Sequence, residues 1–509
     1  MPGALSGHDR KTLSILLAGT GTLRACQALL SRLPLAAQVA QPAAFMKVCD
    51  SADGDLSALQ REVIDALPTA GQLAPAQCQP MEPCVPDSTS GRAAAGEQAT
   101  HRLKPRGSSQ GGLRQYNERV LLQAIRLQGA LPGAELARIT QLTAQTVSII
   151  TKRLEADGLL LRGTPQRGKV GQPSVPLSLN PDGAFAVGIK VGRRSFDMLL
   201  VDFTGAVRRR WALDYRYPAP GPVLAQIGER LAEIRALLSP AEYARVQGVG
   251  IAVPLNLGGW QTLLEMPPEV AAQWPAIDLR AEVAALTDLP VALIKDTAAA
   301  CVAELVAGRG RSIQSFLYIF VDTFVGGGLV LDSHLRAGLH GNAGAIGSLP
   351  LALAAAGRGR ARGNGSGLAA PPQLLSVASL LNLEQLFLAA GLDLTAVADA
   401  RALQVPWLAH TEAWLADAAA ALALAVNSAA CLLDLESVIL DGSCSRELQA
   451  ALQARLGLAL DRYSWEGVTR PAVLAGTIGS DARALGGALL PLYANFAPDR
   501  DLFLKIAAE

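Results

Sequence analysis

The sequence predicts an α/β protein with a small helical domain in front of a larger, layered domain. Two patterns indicate this. Three helical segments and a short two-stranded ribbon occupy residues 113–180, and short apolar strands alternate with Ala/Leu-rich helices from Ala184 onward. The chain has 509 residues, of which 50% are hydrophobic and 17% charged. This composition is typical of a globular protein with two or more domains and argues against overall disorder.

The three helices are delimited by residues with clear local roles. The first carries an apolar stripe through Val120, Leu121, Ala124 and Ile125 and ends at Gly129. The second spans 134–139. Thr143 is a suitable N-cap for a third helix that ends near Asp157, followed by Gly158 as its C′ residue. Strands at 159–162 and 175–179 complete the pattern of a winged helix-turn-helix.

The pattern of apolar and polar residues in the third helix predicts a surface that contacts DNA. Its apolar residues Val147, Ile150 and Leu154 face the core, so small polar and basic side chains face outward. Between Arg102 and Gln172 there are 12 Lys/Arg and 4 Asp/Glu, an excess of +8 (12 − 4), which favours phosphate binding. The candidate DNA-binding residues are Thr143, Gln145, Thr146, Ser148, Lys152 and Arg153 on the helix, and Arg167, Lys169 and Gln172 in the wing. The alternative is a three-helix element used only for dimerisation.

The rest of the chain comprises an N-terminal segment of unusual composition and a long region that predicts α/β structure. Residues 1–112 are rich in Ala, Pro, Gln and Gly and predict a flexible extension, although a start codon placed too far upstream would give the same composition. Strands are predicted at 186–191, 198–201, 249–253, 291–294, 316–320 and 328–331, and helices at 222–238, 297–307 and 412–433.

Composition also bears on location. The seven cysteines are odd in number and form no C-x-x-C pair, so we expect no disulfide framework and a cytoplasmic protein. The longest apolar run, between Asp417 and Asp434, is short for a membrane span and predicts a buried helix. The apolar stretch after Lys11 is too short for a signal peptide.

Several motifs together resemble the ROK family of repressors and sugar kinases. The stretch NERVLLQAIRLQGALPGAELARITQLTAQTVSIITKRLEADGLL is similar to its N-terminal domain, and VGQPSVPLSLNP to the wing of its repressor branch, which includes xylose- and N-acetylglucosamine-type repressors. Later landmarks are GVGIAVP (248–254), KDTAAACVAELVAG (295–308), GLVLDSHLRAGLHGNAGAIGSLPL (328–351), LDLESVILDGS (433–443) and GTIGSDARALGGALL (476–490). The resemblance implies an actin-like ATPase fold, with lobe 1 at 181–297 and lobe 2 at 298–509, the last helices returning to lobe 1.

Both phosphate loops of the family's kinases are altered here. In the first, Lys190 replaces an Asp, and Arg193 and Arg194 stand where the turn needs Gly and Thr. In the second, Asp322 and Phe324 replace glycines, while Thr323, Gly326 and Gly328 persist. Large or charged side chains at these positions disfavour a triphosphate. The sequence therefore predicts that ATP binding is lost or badly weakened and that no cofactor is used.

The base and metal motifs differ as well. Asp296 matches the family's general base, but it also suits pairing with Lys295 or capping of the helix that follows, so we expect it to be vestigial. Ala345 and Ser348 stand at the family's sugar-contacting Glu and His positions, so two direct sugar contacts are missing. Since no cysteine occurs between Cys301 and Cys431, we expect no zinc site and no other metal. The basic insertion GRGRARGNGSG replaces the zinc loop.

These observations predict a DNA-binding transcriptional regulator, a repressor of carbohydrate-related genes, with a catalytically inactive sugar-kinase-like domain. Its expected partners are double-stranded operator DNA, further copies in a homodimer or homotetramer, and a small effector, either a sugar or an anionic metabolite. The effector cleft is predicted to comprise Lys190, Arg193, Arg194, Lys295, Asp296, Thr323, Gly326, Gly328, Asn342 and Gly344. The alternatives are an active carbohydrate kinase and a non-enzymatic sensor or scaffold; a purely dimerising role for the second domain also stays open.

Overall fold

The computed structural model describes residues 110–165, 174–259, 261–352 and 371–498. Most of the predicted extension, the predicted wing residues Arg167, Lys169 and Gln172, and the basic insertion at 357–367 lie outside the described residues. Within them the strands are β1 (Leu131–Pro132), β2 (Leu160–Arg162), β3 (Pro176–Leu179), β4 (Phe185–Val191), β5 (Ser195–Asp202), β6 (Val207–Asp214), β7 (Val246–Val253), β8 (Val291–Lys295), β9 (Phe316–Val321), β10 (Gly326–Leu331), β11 (His334–Arg336), β12 (Ser437–Gly442) and β13 (Ala472–Ala475).

The α-helices of the same ranges are α1 (Gln110–Gln128), α2 (Gly133–Thr140), α3 (Ala144–Ala156), α4 (Pro220–Leu237), α5 (Pro240–Tyr243), α6 (Gln261–Leu264), α7 (Pro268–Ala271), α8 (Leu279–Ala284), α9 (Asp296–Ala307), α10 (Leu375–Ala378), α11 (Leu380–Ala389), α12 (Leu408–Leu433), α13 (Arg446–Leu460) and α14 (Ala482–Phe496). The predicted helices and strands are confirmed to within a few residues. Elements that the sequence did not predict include the short β1, the polar β6 and the longer helices α11, α13 and α14.

The first three helices pack against a small sheet with strand order β1-β3-β2. Val147, Ile150 and Leu154 of α3 are buried, as the helical spacing predicts. Thr143 caps α3, because its hydroxyl oxygen accepts the amide hydrogen of Thr146 at 3.2 Å. Gly158 follows the helix with φ +74°, a left-handed conformation that glycine adopts without strain.

The first large sheet has the strand order β6-β5-β4-β7-β8. Every residue of β4 is buried, since this central strand pairs antiparallel with β5 and parallel with β7. The edge strand β6 is mostly exposed, with only Trp211 half-buried. Its sequence, VRRRWALD, lacks apolar alternation, which explains why the sequence analysis missed it.

The second large sheet has the order β11-β10-β9-β12-β13. All six residues of β9 are buried and divide between its two faces. Phe316, Tyr318 and Phe320 share a core cluster with α9, whereas Leu317, Ile319 and Val321 share one with α12 and α13. This sheet is therefore covered by helices on both sides.

Helix α14 connects the two large sheets. It packs against β4 and β7 of the first sheet and against α9, which covers the second. The contact with α9 is backbone to backbone: a Cβ atom at Gly486 would lie 1.7 Å from the carbonyl oxygen of Ala299. Only glycine allows this approach.

The helical part is anchored to the larger part through Arg126 at the end of α1. Its Nη1 donates a hydrogen bond to the carbonyl oxygen of Phe203 at 2.8 Å, and its guanidinium lies 5.0 Å from the Phe203 ring and 5.7 Å from the ring of Tyr493 in α14. Arg311 donates to the carbonyl oxygens of Arg126 and Leu127 at 3.2 and 2.6 Å. Helix α1 therefore ends on polar groups from two separate regions of the larger part.

Helix α12 contains the apolar run noted in the sequence. Among the described residues, it is the helix long and apolar enough to cross a membrane by length and composition. Half of its most apolar window is buried, and residues such as Trp414, Leu422 and Val426 belong to the core cluster with α13. These contacts agree with the expected buried helix.

Candidate functional site

Two regions contain the predicted site residues: the outer face of α3 and a cleft between the large sheets. On α3, Gln145, Ser148 and Lys152 are exposed, about one helical turn apart from one to the next. The hydroxyl groups of Thr143 and Thr146 lie 2.8 Å apart within the helix cap. Both threonine hydroxyls are thus engaged in starting the helix.

Two further residues complete the face of α3. Arg153 pairs with Glu118 of α1 at 3.3 Å and with Asp157 at 3.6 Å. Ile149, which the sequence did not predict as part of this face, is 60% exposed although it is a large apolar residue. Its position four residues after Gln145 was the available signal, since that spacing places both on one face.

The cleft contains a cavity of about 190 Å³ at the carboxyl ends of β7, β8 and β9. This is the edge of open α/β sheets where ligands commonly bind. Five of the predicted cleft residues contribute to its wall: Arg193, Lys295, Asp296, Gly326 and Asn342. The remaining wall residues are Pro254, Leu255, Asn256, Thr297, Phe320, Asp322, Phe324, Val325, Ala345, Gly347, Ser348, Leu375 and Arg483.

The other predicted cleft residues are engaged elsewhere. Lys190 is buried inside the first sheet, where its ammonium group donates to Asp197 at 2.7 Å and to the Ser195 hydroxyl at 2.5 Å. Burial lowers the pKa of Lys190, and Asp197 opposes that effect. Arg194 forms an ion pair with Glu384 of α11. The charges that the sequence assigned to one cleft are therefore distributed over several separate contacts.

Three more of the predicted cleft residues lie near the cavity and are not part of its wall: Thr323, Gly328 and Gly344. Thr323 follows β9 and is half-buried. Gly344 has φ +70°, and a Cβ atom there would lie 2.7 Å from Gly328 Cα. The loop before the wall residue Ala345 therefore packs directly on β10, which requires glycine at this crossing.

The two altered loops contact each other. The Arg193 guanidinium lies 4.9 Å from the centre of the Phe324 ring, a cation–π arrangement. Arg483 of α14 forms an ion pair with Asp322, which also accepts a hydrogen bond from Ser443. Burial raises the pKa of Asp322, but Arg483 and Lys190 outweigh it and lower this pKa to about 2. An ionised carboxylate therefore lies directly after β9, in the segment that the resemblance aligned with the second phosphate loop.

Asp296 and Lys295 lie side by side in the wall at the start of α9. Asp296 is buried, and its Oδ1 accepts the amide hydrogen of Thr297 at 2.8 Å. The ammonium nitrogen of Lys295 is buried without a hydrogen-bond partner. Burial lowers the pKa of Lys295, Asp296 opposes the shift, and Arg193 adds to it.

The wall residues that the sequence did not predict include the polar Asn256 and the charged Arg483. Asn256 follows the carboxyl end of β7, a position at which a polar residue is a reasonable candidate. Arg483 lies far along the chain, and no local pattern connects it to Asp322. In the described ranges, no group of three or more His, Cys, Asp or Glu side chains is placed to hold a metal ion.

The two mixed sheets around this cleft agree with the two-lobed fold that the resemblance implied. A crystal structure of a ROK family transcriptional regulator, described as a homologue of the E. coli MLC protein, aligns with a TM-score of 0.54 at 21% identity. The alignment covers 76% of this chain and 97% of that one. Residues 186–370 match the ROK family model.

Curated relatives include both repressors and kinases. The xylose repressor of Bacillus subtilis is 24% identical over 243 residues, which cover 47% of this chain and 61% of the repressor. The N-acetylmannosamine kinase of Haemophilus influenzae is 39% identical over 94 residues, covering 18% of this chain and 27% of the kinase. The chain thus spans about three-fifths of the length of the repressors it matches.

Proposed function

We propose that this protein is a cytoplasmic DNA-binding regulator in which α1–α3 and the β1-β3-β2 sheet form a winged helix-turn-helix. The observation that carries the proposal is the outer face of α3, where Gln145, Ser148 and Lys152 are exposed beside Ile149. Amide and hydroxyl groups read base edges, an ammonium group contacts phosphate, and an apolar side chain contacts a thymine methyl group. Helix α3 is then the recognition helix.

The wing and the oligomer follow from the same proposal. Arg167, Lys169 and Gln172 would contact phosphates or the minor groove beside α3. Two copies related by a twofold axis, in a homodimer or homotetramer, would place two recognition helices on symmetric half-sites. The similarity to xylose repressors supports an operator near carbohydrate-related genes and an effector in the cleft, either a sugar or an anionic metabolite.

Fluorescence anisotropy with DNA from upstream of the protein's own gene tests this function. We expect binding that weakens with salt, because bound phosphates release counterions. Gln145→Ala is expected to cost about 1–3 kcal/mol on a specific site if the amide reads a base, and Lys152→Ala to lower the salt slope by about 1 for each copy bound. Arg280→Ala, which removes an exposed charge on α8, is the matched control. Folded protein that binds none of these fragments would contradict the proposal.

We also propose that the cleft is not a kinase site. Arg193 stacked on Phe324 and the ion pair between Asp322 and Arg483 occupy the positions of the two phosphate loops. Because Asp296 lines the cavity, kinase activity is the rival function. An assay of ADP release with ATP and xylose, glucose or N-acetylmannosamine is expected to show no sugar-dependent turnover. Sugar-dependent turnover that Asp296→Asn abolishes would establish the kinase instead.

A further inference from the structure

The cavity wall carries an excess of positive charge. Three cationic side chains, Arg193, Lys295 and Arg483, and two carboxylates, Asp296 and Asp322, line it, which gives +1 (3 − 2). Arg483 and Asp322 form an ion pair with each other. Asp296 is therefore the one carboxylate of the wall that remains to balance the charges of Arg193 and Lys295.

The cationic groups of the wall also have unused hydrogen-bonding capacity. The Nζ atom of Lys295 and the Nε atoms of Arg193 and Arg483 are buried and have no hydrogen-bond partner. The hydroxyl group of Thr297 is in the same condition. Buried donors of this kind are normally satisfied, and all four residues belong to the wall of one cavity. An anion bound in the cavity would offer acceptor oxygens to these side chains and balance the excess charge.

Neutral polar and apolar wall residues restrict the kind of anion. The side chains of Asn256, Asn342 and Thr297, together with Asp296, offer donors and acceptors suited to hydroxyl groups. Phe320 and other apolar residues form the remaining surface, which suits the C–H face of a sugar. The cavity volume of about 190 Å³ lies below the roughly 300–1,000 Å³ of sites for drug-sized ligands, which favours a single sugar unit.

The net charge of the cavity wall favours a carboxylate over a phosphate as the anionic group of the ligand. A phosphate monoester carries about −1.5 to −2 charges at neutral pH, more than the single excess positive charge of the wall. Its extra charge would face Asp296. A carboxylate carries −1 and leaves the site neutral.

We propose that the cavity binds a monoanionic sugar acid, an aldonate or uronate of five or six carbons, with its carboxylate between Lys295 and Arg193. The inference rests on the proposed role of the cleft as an effector site. The carboxylate accepts hydrogen bonds from the two cations, and Asp296 and the asparagine amides bind the hydroxyl groups.

Isothermal titration calorimetry on the full-length protein tests the ligand class. The probes are gluconate, xylonate and glucuronate, each compared with glucose or xylose and with the corresponding sugar phosphate. We expect at least one acid to bind tenfold or more tighter than its neutral sugar and than the phosphate. A neutral sugar or a phosphate that binds as tightly as every acid, or folded protein that binds no acid, would overturn the inference.

Variants of the wall test the placement of the carboxylate. Lys295→Gln should reduce the affinity for the acid by tenfold or more and leave that for the neutral sugar unchanged, whereas Lys295→Arg should retain preference for the acid. Arg193→Gln provides a second test if Lys295→Gln fails to fold, and Arg280→Gln is the control. Equal affinity in the two glutamine variants and the unmodified protein would refute this placement. DNA binding is measured separately, so loss of the ligand result with intact DNA binding overturns this inference alone.

Discussion

The contact between α1 and the larger part makes a quantitative prediction for Arg126→Leu. The substitution removes a hydrogen bond of 2.8 Å from a charged donor to the Phe203 carbonyl oxygen, and cation–π contacts at 5.0 and 5.7 Å. A hydrogen bond from a charged group contributes about 1.5–3 kcal/mol and a cation–π contact about 0.5–2 kcal/mol. Because neighbouring contributions are not additive, we expect the free energy of unfolding to fall by about 2–4 kcal/mol.

Urea denaturation and limited proteolysis measure the effect. We expect α1–α3 to unfold first in Arg126→Leu, with cleavage near Gly129 before the larger part is lost. Arg114→Leu is the matched control on the same helix, because Arg114 is exposed and pairs only with Glu118 at 3.3 Å among the contacts described. Such pairs contribute about 0.3–0.5 kcal/mol. Equal destabilisation by the two substitutions would refute the reasoning about this anchor.

Three further predictions concern the larger part. Gly486→Ala places a Cβ atom 1.7 Å from the α9 backbone and should prevent stable folding, whereas Gly457→Ala, with nothing within 4 Å, should not; equal soluble yields and melting temperatures would contradict this. Asp322, with its pKa lowered to about 2, stabilises the fold above its unfolded pKa near 4. This contribution, about 2 kcal/mol, is lost as the pH falls from 4 to 2. The free energy of unfolding of Asp322→Asn, measured by urea titration, should therefore depend less on pH than that of the unmodified protein. The same pH dependence in both proteins would contradict this assignment. Burial raises the pKa of Cys444 to about 12, so timed alkylation at pH 8 with peptide mapping should label exposed Cys431 much faster, and equal rates would disprove it.

Local patterns were sufficient where a short stretch determines its own conformation. Thr143 and Gly158 delimit α3 because capping and left-handed glycine act within a few residues. The buried strand β9 was predicted because it is a continuous apolar run, and β4 because it is apolar except for Lys190.

Only the tertiary structure decided which charged residues form ion pairs with each other. Lys190 pairs with Asp197 on the adjacent strand instead of facing the cavity, and Arg483 joins Asp322 from 161 residues away. The sequence by itself determined that charged residues occupy both segments that the resemblance aligned with phosphate loops. Which of those charges pair, and which remain in the cavity wall without a partner, depends on how β4, β9 and α14 pack. That packing brings together residues whose separation along the chain leaves no local pattern.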